Sequence, residues 1–123
     1  MRDTGFRLDP DAGWHERRVA FGNQSLVVRA NSEPSLLRQA AECADSLERN
    51  HESILKSLEE LKLREGRRLS REAELAEIEI EAIDFFNPKR PTVGEVSFSE
   101  ESGGEAWTCL FEGGRFFDLS SEA

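Results

Sequence analysis

The chain has 123 residues, 33% of them charged and 37% hydrophobic, with a formal net charge of −9. That length is one domain's worth, and eight Phe with two Trp set it apart from an aromatic-poor acidic disordered segment. The negative charge excludes nucleic acid and an anionic membrane surface as direct ligands, since both would be repelled, and leaves a basic protein partner open.

The charge is unevenly spread. Lys/Arg against Asp/Glu number 5 and 4 over residues 1–30, 7 and 8 over 31–70, and 4 and 13 over 71–123, so the balances are +1, −1 and −9. No apolar run approaches the roughly 18–20 residues of a membrane span. Met1-Arg2-Asp3-Thr4-Gly5 leads into no apolar signal region. A cytoplasmic single domain spanning residues 1–123 is the expectation. Cys43 and Cys109 lie in different halves, in a helical and a strand pattern, without redox or metal spacing. Both are expected as buried, reduced thiols.

In chain order, a short extended piece at Phe6-Arg7-Leu8 precedes the turn signal Asp9-Pro10-Asp11. Residues 14–21 and 24–30 read as a hairpin turning at Gly22-Asn23, with Val19, Phe21, Leu26 and Val28 as apolar content. Ser32-Glu33-Pro34 announces a helix, with Ser32 as cap and Pro34 in the first turn. Apolar residues then recur at Leu37, Ala40, Ala41, Ala44, Leu47, Ile54, Leu55, Leu58 and Leu61. Glu52/Lys56 and Glu60/Arg64 stand at i, i+4, and Gly66 reads as a stop. One helix over residues 34–65 would be about 48 Å long at roughly 1.5 Å per residue. A domain of this size is only about 35 Å across, so a break is expected at Asn50-His51.

Ser70 is expected to cap a short helical turn over residues 70–75. The alternation Glu77-Ile78-Glu79-Ile80-Glu81 then reads as a strand, with a bulge near Ala82-Ile83. Further strands are expected over 93–99, 106–112 and 115–119. Asn87 to Pro91, Ser102-Gly103-Gly104 and Gly113-Gly114 connect them. The predicted fold is α+β: an N-terminal β-hairpin, a long or broken helix pair, and a C-terminal antiparallel β-meander packed on the helices.

The strongest functional candidate is the acidic row Glu77, Glu79 and Glu81, extended by Glu95 with Ser97 and Ser99 if the next strand pairs alongside. Such a row is either a solvated sheet face or a docking surface for a basic protein. Trp14, at a strand start, is a candidate interface anchor. Trp107 alternates with Cys109 and Phe111, which reads as sheet packing.

Other signals carry less. His51-Glu52 opens like a zinc-protease helix, but position 55 is Leu, and one ligand cannot hold a metal. His15 with Cys109 has no spacing that brings a thiol to a base. Arg67-Arg68-Leu69-Ser70 resembles a basophilic kinase site, although Ser70 already has a capping role. No catalytic, cofactor or metal residue is read, and a non-enzyme is favoured.

The layout runs from a Trp14 hairpin through a long helical stretch and Leu69-Ser70-Arg71-Glu72 to a meander ending Ala106-Trp107-Thr108-Cys109-Leu110-Phe111-Glu112-Gly113-Gly114. It resembles small uncharacterised bacterial α+β proteins of the immunity-protein-like kind, some of which occur near contact-dependent or polymorphic toxins. The resemblance implies a non-catalytic cytoplasmic protein that binds a partner, and it transfers no active-site residue. The expected function is an immunity- or adaptor-like module whose acidic sheet face meets a basic protein. Two alternatives stand beside it: a small-ligand-binding or enzymatic domain with a pocket between helix and sheet, and a structural subunit that self-associates into a homo-oligomer.

Overall fold

The computed structural model describes residues 5–99 and 106–122. Three antiparallel strands open the fold: β1 (Arg7–Asp9), β2 (Trp14–Phe21) and β3 (Gln24–Ala30). The Asp9 carboxylate accepts from the amides of Asp11 and Ala12 at 3.0 and 3.2 Å, which closes the predicted turn. Only Gly22 of the hairpin pair uses a positive φ, 64°. Val19, Phe21, Leu26 and Val28 are buried on one face.

The helical stretch divides into α1 (Pro34–Arg49) and α2 (His51–Leu69), broken at Asn50 as helix length demanded. Two capping expectations are corrected. The N-cap of α1 is Glu33, not Ser32. The Ser32 hydroxyl lies 3.3 Å from His15 Nε2, while the Glu33 carboxylate accepts the Ser35 hydroxyl and the Leu36 amide. Those bonds hold Glu33 below the usual carboxylate range. Ser70 does not cap a following helix; it ends α2 in the left-handed region, φ 57° and ψ 41°. The short helix α3 (Glu72–Glu77) begins after Arg71 without a side-chain cap.

Gly66 is no stop either. It is buried inside α2, where a Cβ would stand 3.1 Å from Glu72 Cα, so its bareness lets α3 pack closely. The i, i+4 pairs Glu52/Lys56 and Glu60/Arg64 do not close to 4 Å; Glu59–Lys62 at 3.5 Å and Glu65–Arg68 at 2.8 Å close instead, both at i, i+3. The buried stripe runs through Leu36, Ala40, Cys43, Ala44 and Leu47, with Leu37 at its flank.

Four strands complete the chain: β4 (Glu79–Phe85), β5 (Gly94–Ser99), β6 (Ala106–Glu112) and β7 (Arg115–Glu122). The connection Ser102-Gly103-Gly104 lies outside the described residues. Gly113 and Gly114 both take positive φ, 62° and 82°, as a tight hairpin turn requires. β4 starts two residues later than the alternation implies, because Glu77 is the last residue of α3. Lys62 sets that boundary. The residue is 7% exposed, and its ammonium donates to the carbonyls of Ala76 and Ile78 at 3.1 Å each, so the final turn of α3 is capped and the chain runs extended from Ile78.

All seven strands form one sheet in the order β1-β2-β3-β4-β5-β6-β7. Every pairing is antiparallel except β3 with β4, which is parallel from Val27↔Ala82 to Ala30↔Phe85. A parallel pair needs a long crossover, and here the helices supply it. α1 packs on β2, β3 and β4, and α2 packs on β7. Leu47, Leu58 and Leu75 share one core with Val28, Ile83, Trp107 and Phe116, so all three helices lie on one face of the sheet. Among the described residues the other face carries no helix.

Replacing Lys62 with Met should keep its packing volume while leaving the carbonyls of Ala76 and Ile78 unpaired. We expect a loss of about 2 kcal/mol in urea-unfolding free energy, the scale of a buried charge-assisted hydrogen bond. A change below about 0.5 kcal/mol would show that the lysine does not hold the α3 terminus.

Candidate functional site

The open face can be read across the strands from their register. One row of directly opposed residues runs Arg7, Glu16, Arg29, Asp84, Glu95, Leu110, Phe117. The row beside it runs Arg18, Val27, Ala82, Ser97, Thr108, Ser120. Charge alternates over the first four positions of the first row. Arg29 and Asp84 close a two-pronged pair, Nε to Oδ1 at 2.6 Å and Nη2 to Oδ2 at 2.9 Å, across the parallel seam. That hydrogen bonding holds the Arg29 guanidinium above its usual pKa.

Asp84 is opposed on its other side by Glu95, an exposed carboxylate with no ion pair among the described residues. Like charges directly opposite on an antiparallel pair are unfavourable. Beyond Glu95 lie half-buried Leu110 and Phe117.

The predicted site residues separate on this surface. Glu79 and Glu81 are exposed on β4, Glu81 at the register shift between Ile80 and Ala82 and close enough to Arg29 to raise its pKa. This shift lets Ile80 and Ile83 both face the core. Glu95 joins them through the β4–β5 pairing, as the alternation predicted. Glu77 does not: it ends α3, so the three-residue row is corrected to Glu79 and Glu81 alone. Trp14 lies on the open face at the start of β2, half-buried, its ring stacked on Phe86 at 5.8 Å and beneath the Arg29 guanidinium at 4.8 Å. It is built into the seam.

Asp118 completes the acidic set. It sits in the left-handed region, φ 54°, at the register shift where β7 spends one extra residue opposite β6. Regular alternation would turn this carboxylate into the core beside Phe116; the bulge turns it out and brings Leu119 in. The break in alternation at Phe116-Phe117-Asp118-Leu119 is the sequence signal for it. Asp118, Asp84, Glu95, Ser97, Thr108 and Leu110 line a shallow trough of about 490 Å³.

The face is therefore divided. On β4 to β7 it presents Glu79, Glu81, Asp84, Glu95 and Asp118, and no Lys or Arg apart from the turn pair Glu112↔Arg115. On β1 to β3 it presents Arg7, Arg18 and Arg29 against Asp9 and Glu16.

The remaining candidates are structural. Trp107 is 2% exposed in the core, and its Nε1 donates to Glu74 at 3.3 Å. Cys43 and Cys109 are free, buried thiols whose pKa values burial pushes up to about 12. His15 on β2 and Cys109 on β6 are four strand spacings apart, roughly 19 Å at about 4.8 Å each. His15 Nε2 faces Ser32 Oγ at 3.3 Å at a groove between α1 and β2, yet among the described residues no carboxylate orients its other ring nitrogen. His51 Nδ1 lies 3.4 Å from the Glu48 carbonyl. Among the described residues no group of three or more His, Cys, Asp or Glu could hold a metal ion. Among those residues no helix is long and apolar enough to cross a membrane.

Comparison with protein families, with characterised proteins and with solved structures found no match.

Because burial disfavours the thiolate, a thiol-reactive dye near pH 8 should label Cys43 and Cys109 slowly in native buffer and completely in denaturant. Rapid native labelling of Cys109 would show that β6 opens or that the thiol is activated.

Proposed function

We propose that this protein is a non-catalytic binding module that docks a basic protein surface on the acidic half of its open sheet face. One observation carries the reading. Among the described residues, the β4 to β7 half of the face opposite the helices presents five outward carboxylates, one of them, Asp84, already gripped by Arg29 across the seam, while those strands bring no Lys or Arg to the face away from the turn. Carboxylates so placed repel one another modestly, and a basic surface would relieve that repulsion while steering encounter from a distance. Association of this kind is fast and salt-sensitive.

The sheet edges favour the face over edge pairing as the docking mode. β1 has three residues, and β7 is bulged at left-handed Asp118, two features that blunt an edge against strand addition. The immunity-like resemblance supplies the biological setting of the proposal: a cytoplasmic protein that masks a basic surface of its partner.

Octalysine serves as a defined cationic probe. Changing Glu79, Glu81 and Glu95 to Gln should slow its association at low salt by about threefold or more and flatten the salt dependence. A control with Glu42, Glu52 and Glu60 changed to Gln removes the same charge from the helical side and should leave the on-rate near wild type. Equal losses from both triple variants would assign the effect to net charge and overturn the docking face.

A further inference from the structure

Resting on the docking-face reading, we infer that the partner's anchoring side chain on this surface is an arginine, its guanidinium lying over Leu110 toward Phe117 and paired with Glu95. The fold already builds this arrangement once. Arg29 lies over an aromatic ring, Trp14, at 4.8 Å and closes a two-pronged pair with the Asp84 carboxylate. Both Asp84 oxygens are engaged by that guanidinium.

On the other side of Asp84 the same row repeats two of the three components. Glu95 supplies the carboxylate, and Leu110 and Phe117 supply an apolar and aromatic platform, half-buried and facing out. No Lys or Arg on β4, β5 or β6 faces this spot among the described residues. From β5 to β7 is about 9.5 Å at roughly 4.8 Å per strand, a span that one long side chain covers. Asp118 stands at the β7 side of the trough, and the small residues Ser97 and Thr108 keep its floor low.

Arginine fits this set better than lysine. Its planar, weakly hydrated guanidinium pairs with a carboxylate through two parallel bonds and lies flat on aromatic and apolar surface. A compact, strongly hydrated ammonium gains little from Leu110 or Phe117. Seating a guanidinium at Glu95 also answers the opposition between Glu95 and Asp84, the one directly opposed pair of like charges in the row.

The test compares octaarginine with octalysine by calorimetry at low salt, with backbone amide shifts recorded in parallel. We expect octaarginine to bind about five- to tenfold more tightly to the wild type, with the largest shifts at Glu95, Leu110 and Phe117. Glu95→Gln should abolish the preference, and Leu110→Thr, which keeps a strand-compatible side chain and every charge, should reduce it. Glu79→Gln removes equal charge from the same face and should weaken both peptides alike while keeping the preference. Equal affinity of the two peptides for the wild type, or a preference that survives Glu95→Gln, would overturn the anchor and leave the docking face standing. Failure of both peptides to bind at low salt would overturn the docking face itself.

Discussion

The parallel contact between β3 and β4 is the constraint on which the rest of the molecule depends. It joins an N-terminal hairpin to a C-terminal meander and makes one sheet from two locally formed units. Because paired strands must point the same way there, the chain has to travel back the length of the sheet between them, and 48 residues from Asn31 to Ile78 do so, mostly as helix. That crossover covers one face and leaves the other bare. The seam is secured on the bare side, where Arg29 grips Asp84 and Trp14 of β2 stacks on Phe86, the residue that follows β4. Both explain why a surface divided in charge exists.

The acidic half is built with two local devices. At Glu81 and at Asp118 a register shift interrupts a strand, and each time a carboxylate is carried away from the core while apolar neighbours turn inward. Ile83 turns into the core at the first and Leu119 at the second. Left-handed backbone at a non-glycine residue costs on the order of 1 kcal/mol, and aspartate is among the side chains that tolerate it best. The same bulge roughens the long edge of the sheet. Strain at one residue thus serves core packing, edge protection and the charge of the trough together.

Much of this was legible from local periodicity. The hairpin of β2 and β3, the break between α1 and α2, and the strands β5 and β6 follow from alternation, turn residues and the length a helix can reach in a small domain. What sequence did not reveal depends on partners distant along the chain. The parallel seam has no local signature, since Arg29 and Asp84 are 55 residues apart. Glu77 read as strand because Ile78 and Ile80 alternate with acids, but Lys62 captures the carbonyls of Ala76 and Ile78 and holds the preceding turn helical. Ser32 lost the cap because His15 lies within reach of its hydroxyl. Trp14 was legible as an unusual residue, and its role emerged only once Phe86 and Arg29 were seen beside it. The cross-sheet row from Arg7 to Phe117 takes one residue from each of the seven strands, and register alone assembles it.

A double-mutant cycle on Arg29 and Asp84 tests most directly whether the two halves are joined as described. Each residue is replaced with Ala singly and together, and unfolding free energies are measured for the four proteins. A seam closed by this partly buried, two-pronged pair predicts a coupling of about 2 kcal/mol between the sites. Additive losses, with coupling indistinguishable from zero, would contradict the parallel contact as the junction of the sheet.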